Sequence, residues 1–219
     1  MKLLDNFFDF LKNFYRYQDN SNPKPDNWVN IHVWQSTTVK GSHKGAIKII
    51  KEPIKGKDIG NVGHVSIETA NIYASLWPAE PKELKEPVMG TNSPSLKTDM
   101  NKDHENKKPD ISLTLYSLNK PMLEKKHKER INHMDWKITG DTGRSGQNVH
   151  SCASYAYSLL KAGGINELSY KCANLNQFFK SPMPIEPNDI AECIKAAKKN
   201  ELKRYPQTSE FSDRNNLTR

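Results

Sequence analysis

Residues 150–164 read His-Ser-Cys-Ala-Ser-Tyr-Ala-Tyr-Ser-Leu-Leu-Lys-Ala-Gly-Gly, the pattern of one short, closely packed helix. The Gly-Gly pair at its end is a strong stop signal, because glycine readily adopts the backbone conformation that terminates a helix. Small and apolar side chains recur on one face and allow close packing on a sheet: Ala153, Ala156, Leu159, Leu160 and Gly163. The segment therefore predicts a helix that packs on a sheet and carries Cys152 in its first turn.

Cys152 lies where thiol chemistry is favoured. The positive end of the helix dipole stabilises a thiolate, and the N–H of Cys152 can help to stabilise an oxyanion. The neighbouring His150 and Ser151 make the surroundings polar. The alternative is an ordinary buried thiol, which is common for free cysteine.

A histidine that can serve as the base occurs in Gly-His-Val-Ser-Ile-Glu-Thr, residues 63–69, which alternates polar and apolar residues like a strand. His64 shares one face with two further polar residues while the apolar side chains point to a core. A second strand at 72–77 completes a hairpin. Either Glu68 or Ser75 is expected to orient His64 through its second ring nitrogen. The alternative is a partly buried histidine bonded to backbone.

The other histidines have weaker settings. His150 ranks behind His64, because at a helix start its side chain tends to point away from the thiol. His32, on a predicted strand at 28–34, can line a cleft, whereas His127 and His133 are expected on a solvated, lysine-rich helix. The sequence has neither a metal-ligand spacing nor a phosphate-binding glycine loop, so we expect no metal and no cofactor.

Composition narrows the classes of function. The 219 residues are 35% hydrophobic and carry a net charge of +8, which indicates one domain with a dispersed lysine surface. We expect no nucleic-acid binding, because there is no arginine-rich block and no aromatic-basic alternation. Three cysteines without close spacing argue against a disulfide scaffold and favour a reducing compartment, with Cys172 and Cys193 as packing residues.

The chain is predicted to have three parts: an amphipathic helix at 1–20, one domain at 28–202 and a flexible tail at 203–219. Within the domain, the polar, proline-rich stretch at 78–110 predicts a surface loop insertion. The first helix is expected to dock on the core, with a partner or a membrane surface as the alternative. Acidic residues interrupt it, and no cleavage site follows, so it is neither a signal peptide nor a membrane span.

A strand-borne histidine followed by a cysteine at a helix start resembles the circularly permuted papain-like superfamily. This superfamily includes cell-wall amidases, deubiquitinating or desumoylating peptidases and lecithin retinol acyltransferase-type enzymes. The resemblance covers about residues 60–165 and is carried by three segments, Gly63–Glu68, Tyr73–Pro78 and Ser151–Gly164. Many relatives have asparagine before the cysteine, where this chain has Ser151.

The resemblance implies an α+β, papain-like fold, in which an antiparallel sheet packs against a helix carrying the cysteine at its N-terminus. It also implies an amidase, peptidase or acyltransferase acting on an amide or ester of a protein, peptide or acyl-containing substrate. In such an enzyme Cys152 attacks a carbonyl, and His64 takes the thiol proton and later protonates the leaving group.

The Asn- and Lys-rich composition, the lack of a signal peptide and the polar tail resemble a bacterial secreted effector. We therefore expect delivery by a non-classical route into a host cytosol, or otherwise a cytoplasmic location. The alternative from another class is a non-catalytic binding protein that engages a host protein or membrane through the N-terminal helix or the 78–110 insertion.

Overall fold

The computed structural model describes residues 23–35, 63–79, 87–102, 108–137, 149–178 and 185–211. Its strands are β1 (Val29–Trp34), β2 (His64–Glu68), β3 (Tyr73–Ala74), β4 (Leu76–Pro78), β5 (Val88–Asn92), β6 (Ile111–Leu115), β7 (Asp135–Trp136) and β8 (Val149–His150). Its helices are α1 (Leu96–Lys102), α2 (Lys120–Arg130), α3 (Cys152–Ala162), α4 (Ile165–Leu168), α5 (Tyr170–Phe178) and α6 (Pro187–Arg204). This mixture confirms the predicted α+β class. The predicted helix at 1–20 lies outside the described residues.

The first sheet has four antiparallel strands in the order β3-β2-β1-β6. Successive side chains of a strand point to opposite faces, so β1 buries Val29, Ile31 and Val33 together on one face. Val65 and Ile67 of β2 extend this apolar face, and α3 and α6 pack against these strands. His64 alternates with the apolar residues of β2 and therefore lies on the polar face of the sheet.

The second sheet, in the order β4-β5-β7-β8, fixes where the helix that carries Cys152 begins. Its pairs are antiparallel except β7 with β8, and β8 runs directly into α3. Gly90 of β5 is required by close packing, because a Cβ there would lie 2.8 Å from both Leu76 Cδ1 and the carbonyl oxygen of Met134. The close packing of this sheet positions β8, which leads directly into α3 and Cys152.

The predicted hairpin of β2 with its following strand is confirmed, but that strand is interrupted at Ser75. Ala74 pairs with Ile67 in the first sheet, whereas Leu76 pairs with Asn92 in the second. The Ser75 N–H donates to Asn92 Oδ1 at 2.8 Å, and its carbonyl accepts from the Ser93 N–H at 2.9 Å. Ser75 is therefore the point at which the chain crosses between sheets, and both of its backbone groups are held.

The structure corrects the expectation of a surface loop throughout 78–110. The described part of this stretch contains β5 and the helix α1. Ser95 starts α1, since its Oγ accepts from the Thr98 N–H at 3.2 Å. Asp99 of this helix is completely buried. The segment therefore contributes a strand to the second sheet and an acidic side chain to the interior.

The cysteines also differ from expectation. Cys172 of α5 and Cys193 of α6 form a disulfide, and both are buried. They were expected to be unpaired packing residues, but the docking of two helices brings them together across 21 positions of sequence. Because disulfides persist in oxidising compartments, the pair also argues against the predicted reducing environment. Cys152 is the remaining cysteine and is free.

The helices of the described segments include none with the length and apolar character needed to cross a membrane.

Candidate active site

The start of α3 is built rigidly. The Ser151 side chain accepts from the Ser154 N–H at 3.1 Å, and the Ser154 side chain accepts from the Ser151 N–H at 2.9 Å. This reciprocal capping fixes the first turn, of which Cys152 is the first residue. The Cys152 side chain is partly exposed, so a reagent can reach it while the helix dipole acts on its sulfur.

The structure brings three of the sequence-predicted site residues together. His64 is only 2% exposed, and its imidazole is close enough to Cys152 for the two groups to interact electrostatically. On its other side, His64 Nε2 lies 2.8 Å from Ser75 Oγ. Ser75 belongs to the interrupted strand after the hairpin, where the break brings its hydroxyl to the histidine. The imidazole is thus held between the thiol and a hydroxyl.

A carboxylate completes this arrangement, and sequence reasoning missed it. Ser75 Oγ donates to Asp99 Oδ2 at 2.7 Å, and the same oxygen lies 3.4 Å from His64 Nε2. Hydrogen bonding therefore runs from the imidazole through the Ser75 hydroxyl to the carboxylate, with a direct ion pair alongside. A proton on Nε2 is favoured by this acceptor chain, which leaves Nδ1 as the ring nitrogen available to Cys152.

Two aromatic residues hold Asp99 in this orientation. The Tyr73 hydroxyl donates to Asp99 Oδ2 at 2.6 Å, and Trp77 Nε1 donates to Oδ1 at 2.8 Å. The Trp77 ring also stacks on His64, with centroids 4.2 Å apart and planes inclined by 25°. Trp34 lies at 5.5 Å from the imidazole in a tilted arrangement. These rings exclude water from the His64–Asp99 pair and fix both partners.

The electrostatics favour a charged histidine. Burial alone lowers the pKa of His64, but the charges of Cys152 and Asp99 and their hydrogen bonds raise it to about 9. Burial acts to raise the pKa of Asp99, yet the hydrogen bond and charge of His64, with the Tyr73 hydroxyl, hold it well below its usual range. Burial and the Asp99 charge raise the pKa of Tyr73, so its hydroxyl remains a donor.

Glu68, the other candidate for orienting His64, makes different contacts. Its Oε2 accepts from Asn30 Nδ2 and lies 3.3 Å from His32 Nε2. His32 Nδ1 in turn is 2.9 Å from Ser112 Oγ. Glu68 is four residues from His64 on an extended strand, so it reaches the neighbouring strand β1 instead of the imidazole. The orienting role therefore falls to Ser75 and Asp99.

Among the described residues, His150, His127 and His133 have other partners or are exposed. His150 makes a 3.4 Å contact through Nε2 with Arg130 Nη1, on the α2 side of α3. His127 was expected on a solvated helix face but is only 7% exposed, because its Nδ1 meets the Tyr155 hydroxyl at 2.7 Å. His133 is exposed, as predicted. In the described ranges, no group of His, Cys, Asp and Glu is arranged to hold a metal ion.

One local signal for Asp99 was present in the sequence. Ser95, a residue type favoured at helix N-caps, comes directly before Leu96, the first residue of α1. A short helix at this point would have suggested that the segment packs on the domain. Only the tertiary structure identifies Asp99 as the carboxylate beside His64.

Comparisons of the chain with protein-family models, with curated proteins and with solved structures found no match. A function is therefore argued from the geometry of the site. The elements that carry it are a thiol at a helix start, an imidazole that interacts electrostatically with that thiol, and a buried carboxylate behind the imidazole.

Proposed function

We propose that this chain is a papain-like cysteine hydrolase or acyltransferase that acts on an amide or ester. The observation that carries the proposal is the electrostatically interacting Cys152–His64 pair with Asp99 behind the imidazole. A thiolate beside an imidazolium is a nucleophile that needs no further base. The order of histidine before cysteine, and the packing of α3 against β2, support the resemblance to the permuted papain-like superfamily.

In the first step, the Cys152 sulfur attacks the substrate carbonyl and forms a carbon–sulfur bond. The carbonyl oxygen takes the negative charge, close to the N–H of Cys152 at the helix start. His64 then donates its Nδ1 proton to the leaving amine or alcohol as the bond to that group breaks. The products of this half-reaction are a thioester on Cys152, the released amine or alcohol, and a neutral imidazole.

In the second step, the neutral His64 accepts a proton from the incoming nucleophile. The nucleophile adds to the thioester carbonyl, and the carbon–sulfur bond breaks to restore the thiolate and the imidazolium. With water the product is a carboxylic acid, and with an amine or alcohol the acyl group is transferred. Both outcomes use the same residues.

Ser75 and Asp99 position the imidazole and stabilise its charge. In the imidazolium, Nε2–H donates a hydrogen bond to Ser75 Oγ, and the Ser75 hydroxyl donates one to Asp99 Oδ2. The negative carboxylate favours the imidazolium, and the hydroxyl engages Nε2, which leaves Nδ1 as the ring nitrogen for the thiol. Asp99 takes the place of the third polar residue of papain-like enzymes, reached here through a serine.

The disulfide bears on where the protein acts. A buried Cys172–Cys193 pair favours a chain that folds in, or passes through, an oxidising compartment. Secretion fits this observation, whereas action in a host cytosol gains no support from it. The site itself requires only that Cys152 stays reduced.

Thiol labelling of the unreduced protein tests the proposed enzyme directly, because Cys152 is the free thiol and each adduct can be counted by intact mass. We expect iodoacetamide to label wild type rapidly at about pH 6, where an ordinary thiol is almost entirely protonated. The His64→Ala variant should lose this fast labelling, and the matched control His133→Ala, at an exposed histidine, should keep it.

Slow labelling of wild type with the pH dependence of an ordinary thiol, unchanged in His64→Ala, would contradict the enzyme proposal. That result would favour the binding-protein alternative, in which Cys152 has no special reactivity. Folding of each variant is checked by its near-ultraviolet circular dichroism, since Trp34 and Trp77 surround the imidazole.

A further inference from the structure

A side-chain amide lies at the point where the chain crosses between the two sheets. Asn92 ends β5 and pairs with Leu76 of β4. Its Oδ1 accepts from the Ser75 N–H at 2.8 Å, and its Nδ2 donates to the carbonyls of Tyr73 and Ser93 at 2.9 Å each. Both the acceptor and the donor atom of this amide are therefore engaged with the backbone.

These bonds supply backbone partners where the strand is interrupted. Ala74 pairs in the first sheet and Leu76 in the second, so the ladder partner changes at Ser75. Buried backbone groups require partners, and an amide side chain offers the same kinds of donor and acceptor as a peptide group. Asn92 thus holds the backbone on both sides of Ala74, where the chain changes sheets.

The backbone held by Asn92 carries two of the donors that surround Asp99. Side chains two residues apart on an extended chain lie on the same face. Tyr73 and Ser75 both donate to Asp99 Oδ2, at 2.6 Å and 2.7 Å. Ser75 Oγ also lies 2.8 Å from His64 Nε2. A displacement of this backbone would therefore move both hydroxyls relative to the carboxylate, and one of them relative to the imidazole.

Asn92 and Asp99 belong to one short segment, residues 92–99, and both contact the same stretch of chain. Asn92 binds the backbone at Tyr73 and Ser75, whereas Asp99 binds their hydroxyls. Ser93 adds a third backbone contact, because its N–H donates to the Ser75 carbonyl at 2.9 Å. The segment that supplies the carboxylate thus also fixes the backbone of the residues that bind it.

We propose that Asn92 is a positioning residue of the candidate active site, which acts on His64 through the Ser75 hydroxyl. The inference rests on the proposed function, in which the His64 imidazolium pairs with the Cys152 thiolate. Loss of the amide displaces the hydroxyl that accepts from Nε2–H. That displacement lowers the pKa of His64, because a hydrogen bond to the charged form of a group favours that form.

Asn92→Leu tests this role, because leucine branches at the same atom as asparagine and has no hydrogen-bonding atoms. The readout is the ratio of iodoacetate to iodoacetamide labelling rates at Cys152, followed from pH 6 to pH 10.5. In wild type this ratio should fall with a midpoint near the His64 pKa of about 9. We expect the midpoint of Asn92→Leu to be lower by about one pH unit, at the lower end of the effect of losing a hydrogen bond to a charged group.

Asn27→Leu is the matched control. The Asn27 side chain is also half-buried, and its Nδ2 donates to the carbonyls of Tyr116 and Leu118 at 2.7 Å each. Each variant loses an amide that bridges backbone groups, so comparable losses of stability are expected in urea denaturation. Asn27→Leu should keep the wild-type midpoint, because its amide binds neither residues 73–75 nor residues 92–99.

A second pair of variants serves if leucine is poorly tolerated at position 92. If near-ultraviolet circular dichroism shows that Asn92→Leu is unfolded, Asn92→Ala and Asn27→Ala replace the leucine pair, since alanine adds no bulk. The same shift is expected for Asn92→Ala. In a Ser75→Ala background, the Asn92 change should move the midpoint little further, because the amide acts through that hydroxyl.

An unchanged midpoint in the folded Asn92 variant, or an equal fall in the Asn27 control, would overturn the positioning role. Failure of Asn92→Ala to fold would also overturn it, by assigning the amide to formation of the fold. Each of these results leaves the proposed enzyme standing if wild type shows fast, His64-dependent labelling of Cys152. Slow labelling of wild type, or a wild-type ratio that is constant with pH, would instead remove the thiolate–imidazolium pair and with it the proposed function.

Discussion

Asp99 Oδ2 lies 3.4 Å from His64 Nε2, and the carboxylate is completely buried. A buried carboxylate is costly unless it is paired, and here a charged imidazole and three donors from Tyr73, Ser75 and Trp77 satisfy it. Its pairing with His64 thus links the helix α1 to the candidate active site.

The Asp99→Asn substitution keeps the shape of the side chain and removes its charge. Because the Asp99 charge contributes to the raised pKa of His64, we expect a smaller imidazolium population and slower alkylation of Cys152 at pH 7. The expected loss is small at pH 7, where a histidine with a pKa of about 9 stays mostly protonated even if that pKa falls by one, and it grows as the pH rises towards 9. Iodoacetamide labelling of the unreduced protein measures it.

The control for this variant is Asp110→Asn, at an exposed carboxylate outside the site. It should label at the wild-type rate. Wild-type labelling by Asp99→Asn would show that the carboxylate has no influence on the thiol–imidazole pair.

Ser75→Ala removes the hydroxyl between His64 and Asp99 but leaves both charged partners. A hydrogen bond to a charged group contributes about 1.5–3 kcal/mol, and the direct ion pair compensates in part. We therefore expect a labelling defect that is smaller than that of Asp99→Asn. In the double variant the two defects should not add, because both act through the same imidazole.

Ser112→Ala is the matched control, since this serine binds His32 and not His64. Additive effects of the Ser75 and Asp99 changes would argue that the hydroxyl and the carboxylate act separately, against the chain of hydrogen bonds seen in the structure.

The raised pKa of His64 predicts that the labelling rate of Cys152 by an anionic reagent changes at alkaline pH. As the pH rises through about 9, the imidazolium loses its proton and its attraction for an anionic reagent. Labelling of Cys152 by iodoacetate should therefore decline above about pH 9, while labelling by neutral iodoacetamide should not. The ratio of the two rates, followed from pH 6 to pH 10.5, measures this. A ratio that is constant with pH, or that declines identically in His64→Gln, would assign the effect to another group.

Much of the Cys152–His64 pair could be predicted from local patterns. The helical pattern that ends at Gly-Gly predicts Cys152 in the first turn of a helix. Two-residue alternation places His64 on the polar face of a strand. Ser75 was one of two alternatives, because alternation places it near His64 without specifying a contact. The structure favours it over Glu68 since the strand breaks at Ser75 and brings the hydroxyl inward.

Asp99, His127 and the disulfide were missed for a common reason. Each is buried through polar or covalent pairing, whereas sequence periodicity reports apolar burial. Asp99 lies in a lysine- and proline-rich stretch with few apolar residues, so nothing in the pattern marks it as interior. Cys172 and Cys193 lie on separate helices, and only the docking of α5 on α6 brings them together.

The lowered pKa of Asp99 predicts that the free energy of unfolding decreases as the pH falls. A carboxylate whose folded pKa is below its unfolded value stabilises the fold above the unfolded pKa, here about 3.9. That contribution is lost as the pH falls further towards the folded value. Thermal unfolding between pH 5 and pH 2.5 should therefore show a steeper loss of stability in wild type than in Asp99→Asn. Parallel curves for the two proteins would contradict the assignment.

Cys193→Ser opens the disulfide between α5 and α6. In the chain-entropy description, a link of this span restricts the unfolded chain and contributes about 3 kcal/mol to the free energy of unfolding. We expect a loss of this size in urea denaturation. Cys172→Ser should lose a similar amount, and the Cys172→Ser, Cys193→Ser double variant should lose little more, because the two single changes break one bond. Fast labelling of Cys152 should survive in the folded double variant, since the disulfide lies outside the Cys152–His64–Asp99 contacts. Substantially additive losses would show that the two cysteines stabilise the protein mainly by separate packing.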